Sequence, residues 1–156
     1  MDSVIHDLSI ERVWEDAHMF EVEIAARSEH LCAKARTYLP FDGLDDLADG
    51  LERLSGKKND TFFWEAGDCG AVCSYISLFF APNDKQGHIR VEIHMEISDQ
   101  FPESKHNCRL AFCTEVGLLR SFGNRLRLLR TPGVGRIVRL YDGIPAKECF
   151  PVLLEI

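Results

Sequence analysis

The sequence predicts an α+β domain: a single antiparallel twisted sheet of about six to eight strands, with two amphipathic helices packed on one face. Three observations lead there. In the stretch Gly87–Ser98, Ile89, Val91, Ile93, Met95 and Ile97 alternate with His88, Arg90, Glu92, His94 and Glu96, as in a strand with one dry and one wet face. Two leucine-rich stretches, Leu44–Leu54 and Leu119–Leu129, repeat instead at 3-4-3 spacing, which lines one side of a helix. Finally, 156 residues, 46% hydrophobic and 28% charged, suit one domain with its own core. Residues 1–156 are therefore expected to form a single domain, with about 133–156 as an extended C-terminal tail on or beside the sheet.

Taken in order, Ile5–Trp14 reads as an opening strand. Met19–Arg27 alternates Phe20, Val22, Ile24 and Ala26 with Glu21, Glu23 and Arg27. Ser28-Glu29 turns the chain, and Leu31–Tyr38 sets Leu31, Ala33 and Ala35 opposite Lys34 and Arg36, completing a meander. Pro40-Phe41-Asp42-Gly43 stops that strand. Asp42 is then a natural N-cap, and Asp45 and Asp46 suit the positive end of a helix dipole. Leu44, Leu47, Leu51 and Leu54 form its apolar face; Asp45, Asp46, Asp49 and Glu52 form the opposite one, and Gly56 ends it.

The second half repeats the plan. Thr61–Glu65 is a short aromatic strand, and Val72–Phe80 sets Ile76, Leu78 and Phe80 against Tyr75 and Phe79. The loop Pro82–Gly87 makes a hairpin with the Gly87–Ser98 strand. Asn107–Cys113 alternates through Cys108, Leu110 and Phe112. Thr114 is placed to cap the second helix, striped by Leu119, Phe122, Leu126 and Leu129. Gly117 and Gly123 should each weaken it by about 1 kcal/mol relative to alanine. Thr131-Pro132-Gly133 ends it. The matching order of strands and helix in both halves suggests a duplication. In the tail, Pro145 and Pro151 confine Ile137–Tyr141 and Phe150–Leu154 to a sheet edge or an extended arm.

The net charge of −7 conceals an asymmetry. Ser104–Leu140 carries eight basic residues against one acid, a balance of +7; ten basic and 24 acidic residues elsewhere leave −14. Arg120, Arg125, Arg127 and Arg130 circle one helix without interleaved aromatics, and the whole chain repels polyanions, which argues against nucleic acid. Pairing of this helix with acids of the same chain or of a sister subunit explains it better. No run of about 18 apolar residues spans a membrane. The first sixteen residues carry acids and lack a basic or apolar leader pattern. A cytoplasmic protein with reduced cysteines at its six Cys positions is the expectation.

No constellation of residues states a reaction. His88 and His94 share the wet face of one strand but lie about 20 Å apart along it. His94 with Glu92 or Glu96 offers two metal ligands and needs a third, from Glu21 or Glu23 on a neighbouring strand. His106 and Cys108 form an H-x-C pair, and Cys69-x3-Cys73 lacks zinc-site spacing. Cys108 beside Arg109 and His106 is the sole hint of a nucleophile. Gly133-Val134-Gly135-Arg136 follows a helix and a proline, so it terminates that helix and is no phosphate loop. The sequence thus predicts no catalytic residue, no metal and no cofactor. Its candidate partner-binding residues are Asp42, Asp45, Asp46, Asp49 and Glu52, with Arg120, Arg125 and Arg127.

The acidic segment YLPFDGLDDLADGLERL after strands, an aromatic strand, a hairpin ending GHIRVEIHMEI, and a helix with LLRSFGNRLRLL follow one another between Arg36 and Leu129. That order resembles small bacterial proteins of the WapI immunity type and related uncharacterised families. The resemblance implies a non-enzymatic intracellular protein that neutralises a polymorphic toxin by binding it, the acidic surface meeting a basic toxin domain. It supplies no catalytic residues. The tail after Gly133 and the basic second helix depart from the pattern. Two other readings stand beside it: a structural or regulatory homo-oligomer, and a small metal- or ligand-binding protein using His94, Glu92 and Glu96, or His106 and Cys108.

Overall fold

The structure is a computed structural model that describes residues 6–57, 59–67, 74–98 and 104–141. Strands β1 (Asp7–Glu15), β2 (Met19–Arg27) and β3 (Cys32–Pro40) lead into helix α1 (Asp45–Arg53). Strands β4 (Phe62–Gly67), β5 (Tyr75–Pro82), β6 (His88–Ser98) and β7 (Lys105–Glu115) follow. Helix α2 (Val116–Leu126), a 3₁₀ turn at Arg127–Arg130 and strand β8 (Ile137–Arg139) complete the order. The α+β class and the strand phases agree with the sequence; the single sheet does not. The strands form two antiparallel four-stranded sheets, ordered β3-β2-β1-β8 and β4-β5-β6-β7.

Read from the other edge, the second sheet runs β7-β6-β5-β4. Each half is therefore a three-strand meander followed by a helix, and the strand after that helix joins the other half's sheet: β4 pairs with β5, and β8 with β1. Alternation within a strand reports which face is dry but not which strand lies alongside. That is why eight strands with correct phases were expected in one sheet.

Both dry faces and both helices share one core. Leu8, Ile10, Phe20, Val22 and Ile24 from the first sheet join Ile76, Leu78, Phe80, Ile89, Val91, Ile93 and Met95 from the second, all buried. Full burial of such a side chain stabilises by roughly 1.5–3 kcal/mol. Leu44, Leu47, Leu51 and Leu54, then Leu119, Phe122, Leu126 and Leu129, add the two helical stripes. The helices pack on each other at Gly123, where a Cβ would stand 2.7 Å from Leu51 Cβ and 3.1 Å from Ala48 O. The glycine that should weaken α2 is thus what lets α1 approach.

The helix ends differ from expectation. The N-cap of α1 is Leu44, with no side-chain cap; Asp42 contributes its backbone carbonyl to Asp45 N. Thr114 is buried in β7 and accepts a hydrogen bond from Tyr141 OH, while Glu115 occupies the α2 cap. Val116 N donates to the carbonyl of Gly87, which sits at φ +91° in the β5–β6 loop. A neighbouring loop supplies the acceptor that a capping side chain would otherwise offer. The α-helical part of α2 stops at Leu126, yet Leu129 remains buried in the 3₁₀ turn.

Arg12, which the sequence did not single out, is 1% exposed. It lies over the Phe20 ring at 4.4 Å and donates to Glu15 Oε2 and to the carbonyl of Leu129. Glu15 in turn accepts from Gly133 N. This buried charge, held by a carboxylate and a backbone oxygen, ties β1 to the end of the second helical segment. Of the tail, Ile137–Arg139 is a paired edge strand, and residues 142–156 lie outside the described residues. Reduced cysteines are also corrected: Cys32 is disulfide-bonded, while Cys108 and Cys113 are free.

Candidate binding face

Register builds the outer face of the second sheet row by row. Phe63, Phe79, Glu92 and Ala111 stand side by side on β4, β5, β6 and β7. The next row is Glu65, Ser77, His94 and Arg109, then Gly67, Tyr75, Glu96 and Asn107. All project away from the core, because Trp64, Ile76, Leu78, Ile93 and Leu110 take the buried positions between them. Small side chains at Ser77 and Ala111, between longer ones, leave a depression of about 480 Å³. Phe63, Phe79, Arg90, Glu92, His94 and Arg109 wall it. Phe63 is 53% exposed.

The polar groups on this face are unequally engaged. Arg90 Nε donates to Glu92 Oε1 at 2.8 Å, and that bond raises the arginine's pKa. His94 Nε2 donates to Asn107 Oδ1 at 3.0 Å, lies 3.9 Å from Glu96 Oε1, and meets the Tyr75 ring edge-on. Tyr75 OH donates to Glu65 Oε2 at 2.6 Å. Arg109 makes no ion pair or side-chain hydrogen bond among the described residues.

The metal grouping suggested for His94 is not assembled. Glu21 and Glu23 belong to β2 in the other sheet; the neighbours of His94 are Ser77 and Arg109. Among the described residues no three His, Cys, Asp or Glu side chains gather as a metal site would need. Cys108 is half-buried facing the core, and that burial raises its thiol pKa, away from thiolate reactivity. His106 is exposed at the far end of β7.

The charged residues picked out on the helices largely meet one another. Arg127 donates to Asp49 Oδ1 at 2.6 Å and to both Glu52 oxygens, and Arg130 to Asp45 Oδ2 at 3.1 Å. The Glu52 and Asp49 bonds raise the Arg127 pKa, and the Arg127 bond holds Asp49 below its ordinary carboxylate value. Arg125 donates to the carbonyls of Arg139 and Leu140, fastening the segment after β8 to α2. Asp42, Asp46 and Arg120 make no side-chain ion pair among the described residues. Asp46 lines, with Arg53, a second cavity of about 570 Å³ between the β3–α1 turn and β4.

Sequence reasoning passed over Phe63, Ser77 and Arg109 as a group, since they lie on three strands. The available signal was small residues at outward positions otherwise filled by long side chains. No described helix is long and apolar enough to cross a membrane. Comparison with family models, curated proteins and solved structures finds no match.

Proposed function

We propose that this chain is a non-enzymatic protein-binding domain that seats its partner on the outer face of the second sheet. The observation that carries this is the depression walled by Phe63 and Phe79 and flanked by Arg90 and Arg109. Aromatic residues and arginine around a pocket are the composition of interface hot spots. The engaged state of His94, and the burial that holds Cys108 as a thiol, support binding over nucleophilic chemistry.

The resemblance to WapI-type immunity proteins extends the proposal to a toxin as partner. For a basic toxin domain, Asp42 in the turn before α1 and Asp46 on it are the acids left to receive it, because Asp45, Asp49 and Glu52 already hold Arg130 and Arg127. Titration calorimetry with the product of the adjacent gene tests both levels. A complex is expected, with Phe63→Ala weakening it by about tenfold or more. Tyr38→Ala, on the first sheet, should leave it unchanged. Absence of a complex, or equal losses from the two variants, overturns the reading.

A further inference from the structure

Two donors face the depression with nothing to donate to. Arg109 has no ion pair among the described residues, while the one carboxylate in the lining, Glu92, is held by Arg90. The lining itself has two arginines against one acid, while Glu65 and Glu96 at its edge are engaged by Tyr75 and His94. Ser77 is nine-tenths buried at the floor, and its hydroxyl has no side-chain hydrogen bond among the described residues. Its oxygen is not among the buried, unpartnered atoms of the described residues and therefore opens to the depression. Ser77 and Arg109 lie on the strands flanking His94 in one register row, and His94 is turned to Asn107.

We propose that this depression is a carboxylate site for an acidic side chain of the protein partner, with Arg109 and Ser77 as its donors and Phe63 and Phe79 packing the apolar residue beside it. This rests on the protein-binding reading above. A guanidinium fork matches a carboxylate in geometry and charge. A doubly charged phosphate suits the site less, because Glu92 stands diagonal to Arg109 at roughly 7–8 Å. A volume of about 480 Å³ accommodates an acidic and an apolar side chain together.

The test uses the full chain, labelled with ¹⁵N, and three probes: acetyl-Gly-Glu-Leu-Gly-amide, its glutamine counterpart, and sodium propionate. The glutamate peptide should shift the Arg109 Nε–H and Ala111 amide signals saturably, at least about tenfold more tightly than the glutamine peptide. Arg109→Gln, at an exposed position, should keep the folded spectrum and abolish that preference. Equal affinity for both peptides, or no saturation by about 10 mM, overturns the site. Propionate binding as tightly as the peptide overturns the protein source and assigns the depression to a free carboxylic acid. In the partner complex, loss on Phe63→Ala with no change on Arg109→Gln sinks this inference and leaves the protein-binding reading standing. Glutamate-peptide binding without any partner complex does the reverse.

Discussion

The two sheets have corresponding topology and opposite outer faces. On the first, cations and anions interlock: Arg36 Nε donates to Glu23 Oε2 at 2.9 Å, and Lys34 Nζ and Arg36 also lie 3.9 Å from Glu23 and Glu21. Trp14 and Tyr38 close one end of that face edge to face, at 5.8 Å between centroids. On the second, the corresponding middle rows hold Ser77 and Ala111, and Arg109 has no acid within pairing distance among the described residues. The difference separates what a sheet needs to fold from what it leaves available. Cross-strand pairs take up Glu21, Glu23, Lys34 and Arg36 on the first surface, with Arg27 Nε and Nη1 left unpartnered at its end among the described residues, whereas small residues at two positions open the second.

The comparison assumes that the halves share one core, and the largest expected effects test that. Ile24→Ala and Ile93→Ala remove buried atoms under the first and second sheets respectively. Each should lower unfolding free energy in urea by roughly 2–4 kcal/mol in a single transition. Two separated transitions, or an effect from only one variant, would break the shared core into two units.

The seam between the halves gives a smaller and more discriminating effect. Gly117→Ala meets nothing within 4 Å and should stabilise by up to about 1 kcal/mol through helix propensity. Gly123→Ala gains the same propensity but drives a Cβ to 2.7 Å from Leu51, so it should be net destabilising, by on the order of 1 kcal/mol. Equal stabilisation by both changes would mean that α1 does not approach α2 as described.

Smallest is the acid limb of the inter-helix pairs. The folded-state pKa of Asp49 is depressed, by its bond to Arg127 first. A depressed carboxylate contributes stability that is full above its unfolded value of 3.8 and disappears as pH falls through the lower folded value. Asp49→Asn should therefore flatten the loss of stability below about pH 4 and leave the neutral-pH curve nearly unchanged at high salt. An unaltered acid slope at low ionic strength would show that the pair is not formed in solution.

Much of this molecule was legible from residue order. The phases of β2, β3, β5, β6 and β7, and all eight stripe residues of the two helices, follow from periods of two and 3.6, because burial of one side leaves that mark locally. Helix caps were not legible: Asp42 and Thr114 have the right chemistry, but Leu44 and Glu115 occupy the cap positions. Gly87, distant in sequence, supplies the acceptor for the start of α2. Arg12, to which the sequence drew no attention, is buried beside Leu129, 117 positions away. The acidic and basic helices were each visible, and so was their capacity to pair within the chain. Which residues would pair was not.

By itself the sequence determined the α+β class, the dry sides of β2, β3, β5, β6 and β7 and the two leucine stripes, since each is written within one element by the spacing of apolar side chains. Tertiary structure alone decided that the strands divide into two sheets with exchanged last strands, because strand order depends on contacts between residues far apart in the chain. It alone also decided that Phe63, Ser77 and Arg109 share one depression. Three side chains on different strands meet only once register is set, and register is fixed by the packing of the whole sheet.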